Sequence, residues 1–260
     1  MTALLSVQGI SRSFGALQAL DACSLELEAG SISGLIGPNG SGKTTLFNVI
    51  TGYIRPDTGT VLFNGEDITR ARPDRIFELG IGRTFQLTRI FARLTVLENM
   101  LIATQHHESW IRGFVRPSMS EVDRSHAMEL LEFMGLAKHE NLRAGDLSFG
   151  QRKLLELAYI LVADPAVILL DEPAGGVNLT LINEIAERIR FLNTQGKTFL
   201  IVEHNMEFVM GICHKVTVMQ RGRAIASGDP QTIRNDPRVL DAYLGGAEGE
   251  FDTESGDRVG

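Results

Sequence analysis

The sequence predicts an α/β fold in three parts: an antiparallel β lobe, a core of buried parallel strands alternating with helices, and a helical block inserted in that core. Three observations predict it. The first thirty residues alternate apolar and polar, as in Leu5–Ile10 and Ser24–Glu28. Ala166–Leu170 and Thr198–Val202 are instead continuous apolar runs with turn signals at both ends, which suits strands buried on both faces of a parallel sheet. From about Thr95 to Ala163 the spacing is helical, without a convincing strand.

Taken in order, the alternating segments read as half-exposed antiparallel strands. Ser31–Ile36 then reads as a short buried strand and Thr45–Ile50 as the helix that follows. Between them, Gly37-Pro38-Asn39-Gly40-Ser41-Gly42-Lys43-Thr44-Thr45 fills every fixed position of a phosphate-binding loop. A polyphosphate must be wrapped by successive backbone N–H groups, and bulky side chains would hold the backbone away. Glycines permit the positive φ angles of the wrap. Lys43 supplies a point charge to the outer phosphates, and the Thr44 hydroxyl suits Mg²⁺. Strand, loop and helix N-terminus together make an anion site, so the chain is expected to bind a nucleoside triphosphate.

Thr60–Phe63 followed by Asn64-Gly65 predicts a hairpin. The stretch from Trp110 to Ser120, with Gly113 and Pro117, is irregular and reads as a loop within the helical block. Ser148 and Gln151 have the spacing of a capping box, and the helix they open runs on to Asp164-Pro165. Its Ser- and Gly-bearing N-terminus is a second candidate anion site. Ala166–Leu170 leads into Asp171-Glu172, placing two carboxylates at the C-terminal end of a buried strand, where ligands bind in open α/β sheets. The first acid suits a metal held through water, and the second suits polarising a water aimed at a γ-phosphate. Next comes a helix with Ile182, Ile185, Ile189 and Leu192 on one face, ended by Gly196. Val216–Met219, the turn at Arg221-Gly222 and Ala224–Ala226 form a closing hairpin, and the Gly- and acid-rich tail after Tyr243 reads as a solvated end.

Composition narrows the classes. The chain has 260 residues, 43% of them apolar, 22% charged, and a net charge of −7. With no Lys/Arg run, nucleic acid is not an expected partner, since phosphate neutralisation needs a basic surface. Cys23 and Cys213 each stand alone in an apolar segment and read as buried free thiols of a reducing compartment. Neither a signal peptide nor an apolar run of membrane-spanning length is evident, so a cytosolic protein is expected.

Taken with Leu147-Ser148-Phe149-Gly150-Gln151, these motifs resemble, in order and spacing, the ATP-binding subunits of ABC transporters from about Leu4 to Gly228. The resemblance implies a P-loop NTPase core with an antiparallel β subdomain and an inserted α-helical subdomain at about 90–160. The ATP-binding domain would span 4–240, and 241–260 would be the acidic tail. It implies ATP and Mg²⁺ as ligands, with Phe14 stacking on adenine (ordinary core is its other reading). Gln86 would sense Mg²⁺ and γ-phosphate, Asp171 would serve the metal, Glu172 would be the catalytic carboxylate, and His204 would contact the γ-phosphate. Ser148, Gly150 and Gln151 would close on nucleotide held by a second ATP-binding subunit, a paralogue or a second copy.

Two departures stand out. Phe149 replaces the usual glycine, and Asn178 stands where most members have Asp, which removes a carboxylate from any contact across the pair. An aromatic in the signature and Gly-Val-Asn after the acids are similar to the subunits of branched-chain amino acid importers, as is the ending Val239–Leu244. That resemblance implies two membrane permeases as partners, a periplasmic or extracellular solute-binding protein indirectly, and a peripheral position on the inner face of the cell membrane. Importers for urea or short amides, and a soluble ABC ATPase with an assembly role, are the alternatives.

Overall fold

The computed structural model describes residues 3–84, 90–105 and 121–244. The chain runs β1 (Leu5–Phe14), β2 (Leu17–Leu27), β3 (Ile32–Ile36), α1 (Lys43–Ile50), β4 (Thr58–Phe63), β5 (Glu66–Asp67) and α2 (Pro73–Glu78). It continues through β6 (Ile81–Arg83), α3 (Val96–Gln105), α4 (Glu121–Phe133), α5 (Phe149–Leu161), β7 (Val167–Asp171), α6 (Leu179–Thr194) and β8 (Thr198–Val202). Last come α7 (Met206–Ile212), β9 (Lys215–Gln220), β10 (Arg223–Gly228), α8 (Pro230–Arg234) and α9 (Pro237–Leu244). Two compact units result: Met1–Pro73 with Val209–Gly260, and Asp74–Phe208.

In the first unit, β2, β1, β4 and β5 form an antiparallel sheet in that order. Its alternation is literal on β2, where Cys23, Leu25 and Leu27 are buried and Ser24 and Glu26 are exposed. One face is therefore core, and a one-residue slip would turn that whole set to water. β3 runs parallel to β9, and β10 closes antiparallel on β9. Two of its hairpins, β4–β5 and β9–β10, have two-residue loops with positive φ throughout, 50° and 81° at Asn64-Gly65 and 47° and 79° at Arg221-Gly222. That geometry matches the right-handed twist of the strands it joins.

In the second unit, β6, β7 and β8 are parallel neighbours, with Gly82 opposite Ile168 and Leu169 opposite Leu200. Every residue of β7 and β8 is buried, as the apolar runs require. Each fully buried Leu, Ile or Val contributes roughly 1.5–3 kcal/mol relative to exposure, so these short strands outweigh any single surface interaction. The helical part consists of α3, α4 and α5, which pack on one another and bury Met100, Leu101, Leu131, Leu154 and Leu155. Thr95 and Glu98 cap α3 reciprocally. The fully buried Asn99 amide is bonded to both the N–H and the carbonyl of Phe91, fixing the segment that leads into α3. The core face of α6 uses Ile185, Ala186, Ile189 and Leu192, with Ile182 only half-buried. The irregular stretch near Trp110 lies outside the described residues, as do residues 245–260 of the acidic tail, whereas 241–244, expected in that tail, form the end of α9. Among those described, no helix is long and apolar enough to cross a membrane.

Cys23 and Cys213 are both buried free thiols. Burial pushes Cys23 up to about 11 and Cys213 up to about 12. Because the thiolate is the reactive form, both should stay silent to Ellman's reagent in the folded protein at mildly alkaline pH and both should titrate in denaturant. Rapid labelling of either thiol in the folded chain would contradict this burial.

Candidate functional site

The phosphate loop belongs to the first unit and hangs between β3 and α1. Neighbouring backbone fixes two of its glycines. A Cβ on Gly37, at φ 149°, would stand 2.1 Å from the Met219 carbonyl oxygen, and one on Gly42, at φ 103°, would stand 2.6 Å from that of Ala19. Asn39, Gly40 and Thr44 are exposed, and Pro38 and Thr45 are half-buried. Ser41 is buried, and its carbonyl accepts from the Gly222 N–H at the β9–β10 turn. Helix α1 begins at Lys43, two residues earlier than its sequence suggests, with Gly42 as an N-cap that offers no side chain. A helix N-terminus without a side-chain cap suits an anion.

Lys43 is 6% exposed, and its ammonium donates to the Gly37 and Pro38 carbonyls at 2.8 and 2.9 Å. The cation therefore lies directly over the loop. The Tyr243 phenol on α9 reaches the same place. Burial raises its pKa, and a hydrogen bond from the Gly37 backbone opposes that rise. Phe14, at the end of β1, is 43% exposed with the Arg12 guanidinium 5.0 Å from its ring centroid. Of its two readings, ordinary core is excluded.

The second unit carries the acids. Asp171, the last residue of β7, pairs with Arg83 at 3.2 Å, with both side chains nearly buried. Its N–H donates to the Thr84 hydroxyl at 3.0 Å. Glu172 follows at φ 51°, a left-handed conformation costing a non-glycine residue on the order of 1–2 kcal/mol. Several bonds hold it there. Its N–H donates to the Val202 carbonyl, and its own carbonyl accepts from Gly175 N–H and from the Lys153 ammonium. Glu172 Oε1 lies 2.9 Å from His204 Nε2, so the structure brings these two candidates together beside Asp171.

Glu203, which the sequence did not single out, is 2% exposed. Its carboxylate accepts from the N–H groups of Ala174, His204 and Asn205. Lys153 is the other residue missed. Burial lowers its pKa, and the carboxylates of Glu203, Glu156, Glu172 and Asp171 pull the other way. A charged residue directly after the apolar run of β8, and a lysine two positions beyond Gln151, were the available sequence signals.

The capping box at α5 is present, with Ser148 Oγ accepting from Gln151 N–H and Gln151 Oε1 accepting from Ser148 N–H. Gln151 also meets His139 at 3.1 Å. Gly150 is buried, and a Cβ there would fall 1.9 Å from Leu181 Cδ2 on α6. Both sequence departures acquire local causes. Phe149 is 44% exposed and lies over Gly176, where a Cβ would stand 3.1 Å from the ring, while the Lys153 ammonium sits 5.3 Å from the ring centroid. Asn178 caps α6 by accepting from Leu181 N–H at 3.0 Å, a task Asn performs as well as Asp. Gln86 lies outside the described residues.

The family model described as ABC transporter matches residues 20–175, and the one for branched-chain amino acid ATP-binding cassette transporters matches 225–249. The high-affinity branched-chain amino acid transport ATP-binding protein LivG of Escherichia coli (strain K12) is 40% identical over 252 residues, covering 94% of this chain and 98% of that protein. The corresponding BraF protein of Pseudomonas aeruginosa is 36% identical over 251 residues, covering 94% and 98%. A crystal structure of the ADP conformation of an ATP-binding cassette of an ABC transporter superimposes with a TM-score of 0.85 at 37% identity, covering 94% of this chain and 100% of that one.

Ser148→Ala removes one reciprocal bond of the α5 cap and should cost about 1 kcal/mol. In a chain of this size that lowers the thermal midpoint by roughly 2–4 °C, and Ser148→Gly should cost less. Calorimetry showing no difference between wild type and Ser148→Ala would mean that the cap is dispensable.

Proposed function

The chain belongs to the ABC transporter family, among its branched-chain amino acid ATP-binding cassettes, and on that premise we propose that it is the ATP-hydrolysing subunit of an importer for branched-chain amino acids. Likeness along nearly the whole chain to the Escherichia coli and Pseudomonas aeruginosa subunits carries this reading. Residues 4–240 act as one ATP-binding domain, with the helical part at about 90–160 inserted in it.

Phe14 stacks on the adenine. The loop from Gly37 to Thr45 wraps the phosphates with backbone N–H groups while Lys43 offers its charge to the outer ones, sharing the ammonium with the Gly37 and Pro38 carbonyls. Glu172 accepts the proton of a water that attacks the γ-phosphorus as the bond to the ADP oxygen breaks, giving ADP and phosphate. His204, already within hydrogen-bond reach of Glu172, orients that carboxylate and contacts the γ-phosphate.

The donors assigned to Mg²⁺ are hard oxygens: the exposed Thr44 hydroxyl on the first turn of α1, the Asp171 carboxylate at the end of β7, and the Gln86 amide. No cage of three His, Cys, Asp or Glu side chains occurs among the described residues, and Mg²⁺ typically needs none, being held by one or two protein oxygens plus substrate phosphates. Bound there, the ion neutralises charge on the phosphate oxygens.

Ser148, Gly150 and Gln151 at the tip of α5 complete the site of a second ATP-binding subunit, so ATP joins the pair and its hydrolysis releases it. Two permeases receive the motion, holding the subunit at the inner face of the cell membrane, and a solute-binding protein outside delivers the amino acid.

Lys43→Ala should abolish ATP binding measured with a fluorescent ATP analogue. Glu172→Gln should bind ATP with near-normal affinity while hydrolysis falls about 10²–10⁴-fold, because the amide keeps the shape and loses the base. Wild-type turnover in either variant would remove the corresponding assignment.

A further inference from the structure

Two charged residues outside the family motifs act on one short piece of backbone. Lys153, in the second turn of the capped helix α5, donates to the carbonyls of Glu172 and Pro173. Glu203, directly after β8, accepts from the N–H of Ala174 at 2.5 Å. The same carboxylate takes the N–H groups of His204 at 2.9 Å and Asn205 at 3.1 Å. Glu172 sits at φ 51° between these anchors, and its side chain meets His204.

Glu203 thus ties together the two backbone segments that carry Glu172 and His204. Lys153 ties the first of them to the helix whose tip bears Ser148 and Gln151. We propose that Lys153 and Glu203 are positioning residues for hydrolysis, holding the Glu172 peptide in its left-handed conformation and setting the Glu172–His204 pair, so that the base is aligned through its main chain.

The geometry favours this over a purely structural salt bridge. No Lys153–Glu203 ion pair is needed to account for either side chain, since each spends its hydrogen bonds on the main chain of the acid loop or of the segment after β8. A charge-assisted bond to a peptide is strong and directional. Loss of one such bond frees Glu172 to relax toward ordinary φ, and a displacement of about 1 Å at a catalytic group can cost on the order of 10²-fold in rate. Lys153 also links the α5 tip to the base of the same subunit, so the half-site offered to a partner and the subunit's own acid share one mechanical support.

The inference rests on Glu172 being the base, and the test separates the two ideas. Lys153→Met, Lys153→Arg, Glu203→Gln and Glu172→Gln are prepared in the full chain, with kcat and KM from phosphate release and nucleotide affinity from a fluorescent ATP analogue. Lys153→Met and Glu203→Gln should lower kcat by about 10- to 100-fold with nucleotide affinity kept within a factor of about two, and Lys153→Arg should restore most of the rate. Unchanged kcat in Lys153→Met, while Glu172→Gln is inactive, would overturn the positioning role and leave the base assignment standing. Parallel loss of affinity, kcat and thermal stability in both Lys153→Met and Glu203→Gln, without rescue by Lys153→Arg, would overturn it in favour of a structural one. Should Glu172→Gln itself turn over normally, the base assignment and this inference fall together. If Lys153→Met does not fold, the comparison of Glu203→Gln with Lys153→Arg decides by the same kcat and affinity criteria.

Discussion

Burial of short strands on both faces is the constraint from which the candidate site follows. β3, β7 and β8 are five residues each, and all of their residues are buried. Such a strand has no amphipathic freedom, so its end is fixed to within a residue by where the apolar run stops. The phosphate loop starts where β3 stops, Asp171 closes β7, and Glu203 and His204 follow β8 directly. Within each unit, polar chemistry is thereby delivered at the margin of buried strands, where hydrogen bonds and charges are stronger than in water.

A second theme is that three charged side chains, Lys43, Glu203 and Lys153, grip main chain. Lys43 holds the carbonyls of its own loop, Glu203 collects three N–H groups, and Lys153 holds the carbonyls beyond the acids. Uncharged Asn99 does the same for Phe91. A buried charge left unsatisfied would be costly, and peptide groups on loops are the partners that most need fixing. Satisfying one requirement meets the other, which is how irregular segments at a site become as well determined as the strands beside them.

What could be read in advance was what is local. The buried runs, the hairpins at Asn64-Gly65 and Arg221-Gly222 and the Ser148–Gln151 box depend on neighbours a few residues apart, and each is found where the sequence puts it. Small errors came from edges: α1 starts at Lys43, and Ala186 takes the core place that periodicity gave to Ile182. Phe14 could be placed only with coordinates, since an aromatic at a strand end satisfies either a core or a surface pattern. The contacts that organise the acids could not be read at all. Arg83 and Asp171 are 88 residues apart, Lys153 and Glu172 are 19 apart, and Ala174 and Glu203 are 29 apart. Nothing in the spacing of a single chain announces such pairs. Cargo was legible only as resemblance, at Phe149, Gly176-Val177-Asn178 and Val239–Leu244, because specificity for a solute resides in groups that touch it.

The fit of Gly150 against Leu181 has a consequence for how the chain can vary. The glycine at the α5 tip leaves no room for a methyl group while a leucine occupies the first turn of α6. Drift at the two positions is therefore not independent. A larger residue at 150 becomes admissible only after 181 has shrunk, and a lineage that keeps leucine at 181 is bound to glycine at 150 whether or not nucleotide ever presses on that helix. Invariance at this place in the signature would then record a packing history as much as a ligand, and the two can be told apart by asking which relatives have changed both residues together.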